Sequence, residues 1–92
     1  MEEKVDILRN NIPGLKDGRE KVDAMNELSW LVRYERGEEG EKLGADAAEL
    51  SKKLKYSRGR AYGKLNQAVN MHLRVLDEEV ISLLMDALDY FD

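Results

Sequence analysis

The feature that most constrains this chain is a stripe of small residues on a stretch of helical periodicity. Gly40, Leu43, Gly44, Ala47, Leu50, Ser51 and Leu54 recur at helical spacing. Gly40, Gly44 and Ala47 leave that face shallow, so a neighbouring helix can approach it unusually closely. Ala47 is expected inside this contact, and Ala48 on the exposed side. The preceding stretch repeats the pattern: Val22, Met25, Ser29 and Val32 fall on one face, and Leu28 and Leu31 widen it. Gly37 lies between the two, where a left-handed residue closing the first helix is expected. Residues 20–56 therefore read as a helical hairpin.

The flanks extend this reading. Residues 3–12 form a short helix with Val5, Leu8 and Ile12 on one side, ended by Asn11-Ile12-Pro13-Gly14. A helix so short must dock its apolar residues to persist. Asp17-Gly18-Arg19-Glu20 has capping-box spacing, and it starts a helix running to about Tyr34. Glu38 and Glu39 suit the start of the next helix, which runs to about Lys55. Ser57 is the expected N-cap of a third helix over 58–74, lined by Ala61, Leu65, Ala68, Val69, His72 and Leu73. Asp77 caps a fourth over 78–91, with Glu78 and Glu79 in its first turn. The expected fold is all-α. A short N-terminal helix over 3–12 precedes two antiparallel hairpins, 18–55 and 57–92, in one domain.

Composition narrows the function. The 92 residues carry a net charge of −4 and no cysteine. A disulfide framework and a thiolate metal site are excluded, and nucleic acid is disfavoured as a partner. The start, Met1-Glu2-Glu3-Lys4, has no basic segment followed by an apolar run. No signal peptide, no membrane span and a cytoplasmic location are expected. His72 is the sole histidine, so no metal site or nucleophile–base pair can be completed around it. The pairs Gly40/Gly44 and Gly59/Gly63 fall on helices and follow no strand, unlike a phosphate-cradling loop. No enzyme activity and no cofactor are expected.

The two hairpins read as copies. Ser29 and Ala68 are the small residues of the first helices, and Ala47 and Ala87 those of the second, at offsets of 39 and 40 residues. With residues 21–30, Gly40, Gly44, Ala47 and Leu50, then residues 58–62, Leu65, Asn66, Ala68, Val80, Leu84, Ala87 and Leu88, the pattern resembles tetratricopeptide repeats. It is similar to the longer-period version found in bacterial signalling proteins such as sensor kinases and cyclases. Lys64 and Gln67 depart from it, standing where the family is apolar, and so bear on how the third helix packs. The resemblance implies a tetratricopeptide-like array that binds a protein or peptide as a regulatory or scaffolding module. Its concave surface would be lined by the first helix of each hairpin, giving Asp23, Asn26, Trp30, Arg33, Tyr62, Asn66, Val69 and His72 as partner-binding residues. Trp30 and Arg33 also lie off the main packing stripe, and both residue types are enriched at binding hot spots.

Two other readings compete. The fourth helix is apolar over more than half its girth, so Leu83, Leu84, Leu88 and Phe91 are candidates for self-association. Residues 75–92 carry six acids, and residues 52–64 carry six bases. A homodimer through the last helix is expected on that ground, and a purely structural self-assembly domain is the alternative function. The basic run Lys52–Lys64, interleaved with Tyr56 and Tyr62, gives the third reading, a small RNA-binding protein.

Overall fold

The computed structural model describes residues 2–72 and 78–91. It is all-α, with five helices and no strand among the described residues. Helix α1 spans Glu2–Asn11 and passes into a 3-10 turn, Ile12–Gly14. Helices α2 (Arg19–Leu31), α3 (Gly37–Leu54), α4 (Ser57–His72) and α5 (Glu78–Phe91) follow. The expected 3.6-residue stripes decide the interior: Val22, Met25, Leu28 and Val32 of the α2 stretch are buried with Ile12 and Ala47. Val5, Leu8, Leu43, Leu50 and Leu54 pack around them. Burying a side chain such as Val22 or Leu28 contributes about 1.5–3 kcal/mol each.

The shallow face of α3 meets α4. A Cβ on Gly44 would lie 2.6 Å from the Gln67 amide nitrogen and 2.7 Å from the Gly63 carbonyl oxygen. A Cβ on Gly63 would lie 2.7 Å from both the Gly44 carbonyl oxygen and the Ala48 nitrogen. The two backbones therefore touch, and only glycine permits it at either position. Ala48 belongs to this crossing, which corrects its reading as an exposed residue. Gln67 needs no apolar side chain here, because its backbone makes the contact.

Two buried oxygens complete the crossing. Asn70 Oδ1 and Ser51 Oγ have no hydrogen-bond donor among the described residues. Asn70 Oδ1 lies 2.0 Å from where a Gly40 Cβ would stand, and Ser51 Oγ 2.6 Å from where a Gly59 Cβ would stand. Each oxygen thus rests against a glycine Cα of the opposite helix, the setting of a weak C–H···O contact.

Helix ends differ from expectation in three places. The capping box does not form: Gly18 is the N-cap of α2 without a side-chain bond, and Asp17 instead pairs with Lys21 at 3.3 Å. Gly37 is not left-handed but is the first residue of α3, and α2 ends earlier than expected, at Leu31, through a turn carried by Val32–Glu35. The left-handed position is Lys55, with φ 56°. Its amide and that of Tyr56 bond back to Lys52 and Ser51, closing α3 in a Schellman arrangement. The third helix ends at His72 among the described residues. Leu73, the connection at 75–77 with Asp77 as cap, and the side chains of His72, Glu78, Glu79, Val80, Ile81, Leu88, Tyr90 and Phe91 lie outside what is described.

Helix α1 docks as its apolar side demands, and a clamp fixes it. Arg9 donates from Nε and Nη2 to the two carboxylate oxygens of Glu39, each at 2.9 Å. Lys4 reaches Glu27 on α2 at 3.2 Å. At the other end of the molecule, Leu83 and Leu84 of α5 pack on Ala68 and Met71 of α4. Lys64 donates to Asp86 at 2.5 Å.

Candidate functional site

Helix α4 lies against both α2 and α3, so α2 and α4 form one side of the molecule. A buried amide ladder sets their spacing. Asn26 Nδ2 donates to the Gly59 carbonyl at 3.1 Å. Asn66 Nδ2 donates to Asn26 Oδ1 at 3.0 Å and to the Asn26 carbonyl at 3.2 Å. Asn70 Nδ2 donates to the Asn66 carbonyl at 2.7 Å and to Ser29 Oγ at 3.3 Å. Ser29 Oγ donates to the Gly40 carbonyl at 2.6 Å. Each such bond contributes about 0.5–1.5 kcal/mol net, and each unmade one costs more. A ladder with so many partners admits one register between α2 and α4.

Above the ladder lies a pocket of about 340 Å³ lined by Asn26, Glu27, Trp30, Tyr62, Leu65 and Asn66. Trp30 is 45% exposed and Tyr62 38%. Arg33 stacks on the indole, with its guanidinium 3.7 Å from the ring centroid and Nη1 donating to the Trp30 carbonyl at 2.6 Å. Arg33 also lies 4.5 Å from the Tyr34 ring, and Arg58 sits 5.7 Å from the Tyr62 ring. Beyond Arg58, the Tyr56 hydroxyl donates to Asp23 at 2.8 Å, with Arg19 4.9 Å from the Tyr56 ring. That bond to Asp23, with burial adding to it, holds the Tyr56 hydroxyl above the usual phenol range.

The structure thus brings Asn26, Trp30, Tyr62 and Asn66 to one pocket, with Arg33 over its indole. Asp23 stands farther along the same side at Tyr56. Val69 is half-buried. Two of these residues carry a correction: Asn26 and Asn66 are buried, and their amides are spent on each other and on Gly59. They form the floor that holds the walls. Sequence reasoning missed Glu27 and Leu65 as lining residues and Asn70 as the deepest rung. Asn66 and Asn70, four apart on one α4 face, were the available signal.

The self-association residues divide. Leu83 and Leu84 are half-buried within the chain, against α4. Among the described side chains of α5, Met85 is the exposed large apolar one, at 61%. The charge complement between residues 52–64 and 75–92 is used within the chain at Lys64–Asp86. No family model, curated protein or solved structure matches the chain. No helix among the described residues is long and apolar enough to cross a membrane.

Proposed function

We propose that the chain is a non-catalytic protein- or peptide-binding module, regulatory or scaffolding in role, acting through the α2/α4 groove. One observation carries the reading: the half-exposed Trp30 and Tyr62 line one pocket together with the hydrogen-bonded Asn26 and Asn66. Rigid aromatic walls with an arginine beside them are the composition of a binding hot spot. The pocket suits one or two side chains of a partner, being at the small end of ligand sites. Packing of α4 against both α2 and α3 supports the tetratricopeptide-like reading, since stacked hairpins make those contacts. A cytoplasmic setting belongs to the same proposal.

Selection of displayed random peptides on the immobilised chain tests it. Recovered peptides should bind Trp30→Ala at least tenfold more weakly, with the thermal midpoint of the variant within a few degrees of wild type. Peptides that bind both proteins equally would move recognition away from the groove.

Met85 favours a second reading, a homodimer through α5. Leu84→Glu cannot test it, because Leu84 packs within the chain. Met85→Glu can. Light scattering should give a dimeric mass for wild type and a monomeric one for the variant, and a monomeric wild type removes the reading.

A further inference from the structure

Charge is spread unevenly over this chain. Residues 52–64 carry six bases and no acid. They surround the turn from α3 into α4, and the start of α2 packs against it. Arg19 lies 4.9 Å from the Tyr56 ring, and Asn26 bonds to the Gly59 carbonyl. Asp86 of α5 reaches the same end through Lys64. Acids on these neighbours count against the bases. Segments 16–23, 49–64 and 86–89 together hold nine of the chain's fifteen bases and six of its nineteen acids. Nine against six leaves this end positive by three, while the whole chain stands at −4. Three of the six acids are engaged: Asp17 by Lys21, Asp23 by the Tyr56 hydroxyl and Asp86 by Lys64.

Lys52, Lys53, Lys55, Arg58 and Arg60 are all exposed around the turn. None of the five is in an ion pair among the described residues. No large apolar side chain is exposed between Lys52 and Arg60, so the strip has nothing to insert into a bilayer. The two tyrosines of the run differ. Tyr56 is half-buried, and its hydroxyl is spent on Asp23. Tyr62 is exposed one turn beyond Arg58, whose guanidinium lies 5.7 Å from its ring. An exposed ring beside a line of cations is the combination that holds an unstacked base and its phosphates.

We propose that this strip binds single-stranded nucleic acid, a function beyond the peptide groove. Lys53, Lys55 and Arg58 meet successive phosphates, and Tyr62 stacks a base. A single strand carries one charge and one flat ring per nucleotide, so it matches both parts of the surface. An acidic peptide matches the cations alone. A duplex keeps its bases stacked and leaves Tyr62 unused. Contacts from exposed cations to phosphate release counterions, so binding weakens steeply with salt.

Anisotropy of a labelled short RNA of mixed sequence tests the proposal. With three phosphate contacts, affinity should fall about twentyfold between roughly 50 and 200 mM salt. Lys53→Gln with Lys55→Gln and Arg58→Gln should weaken binding at least tenfold and flatten that dependence, with the thermal midpoint within a few degrees of wild type. Arg36→Gln with Lys42→Gln, exposed toward the start of α3, should change affinity by less than about twofold. Tyr62→Ala should weaken RNA about tenfold and leave the binding of inorganic polyphosphate unchanged. Trp30→Ala, which tests the peptide groove, should leave RNA binding unchanged, so the two functions fail separately. RNA that does not bind at the lower salt overturns the proposal. So does an equal loss from both sets of charge substitutions. If polyphosphate or anionic vesicles compete as well as RNA of equal charge, and Tyr62→Ala changes nothing, the strip serves bare phosphate or lipid, and the nucleic-acid assignment is overturned.

Discussion

Gly44 and Gly63 show how much one missing side chain decides. Each stands where a Cβ would strike backbone atoms at 2.6–2.7 Å, and backbone cannot swing aside as a flexible side chain can. Gly44→Ala is therefore expected to force α3 and α4 apart and cost about 1–3 kcal/mol, the usual penalty of overpacking. A lowered urea midpoint reads this, with Glu49→Ala, exposed on α3, as the control that changes nothing. Equal midpoints would show that the crossing relaxes freely. The tightness of the Gly40/Gly44/Ala47 face was legible in the sequence, because the spacing alone leaves a face without bulk. Its partner was not. Only the placement of α4 shows that Gly63 answers Gly44 and that Asn70 fills the space over Gly40. Ser29 reads in the sequence only as a small residue of its stripe and Asn70 carries no signal of its own, yet the ladder joins them.

Helix spans followed periodicity closely, and helix ends did not. Glu78–Phe91 agrees with its expected bounds, and α3 and α4 lie within a residue or two of theirs. Ends depend on single bonds with many competitors: Lys21 draws Asp17 away from a cap, and Lys55 takes the left-handed position expected of a glycine. Nor does any local pattern show the clamp that holds α1, because Arg9 and Glu39 are thirty positions apart. That clamp has a pH signature. The hydrogen bonds from Arg9 hold the Glu39 carboxyl below its ordinary value of 4.5, against a smaller opposing effect of burial. A lowered folded-state pKa contributes stability that is fully present above the unfolded value and lost as pH falls through the folded one. Docking of α1 should therefore hold at neutral pH and loosen below about pH 4.5. Hydrogen exchange of the α1 amides, corrected for intrinsic rates, should show protection falling over that window. Glu39→Gln should show the loss already at neutral pH. Protection that ignores both acid and the substitution would mean that Val5, Leu8 and Ile12 hold α1 without the clamp.

At the scale of the molecule, the all-α architecture was legible because four long stripes of one period admit no other class. The groove was half legible. Trp30 stands out in the sequence as an aromatic residue off the packing stripe, Tyr62 enters only through the resemblance, and both line one pocket. Asn26 and Asn66 are contacts by what the resemblance implies, yet burial turns their amides inward to join the helices. Burial of a polar residue is a property of three packed helices, and no single helix's pattern contains it. The central claim is that partners are recognised between Trp30 and Tyr62, and Trp30 is the only tryptophan of the chain. Its fluorescence therefore reports on that groove without a label. Titrating a peptide selected on the native chain should change Trp30 emission with the same dissociation constant as direct binding, and Tyr62→Ala should weaken both by about tenfold. A peptide that binds tightly while Trp30 emission stays constant would contradict the account.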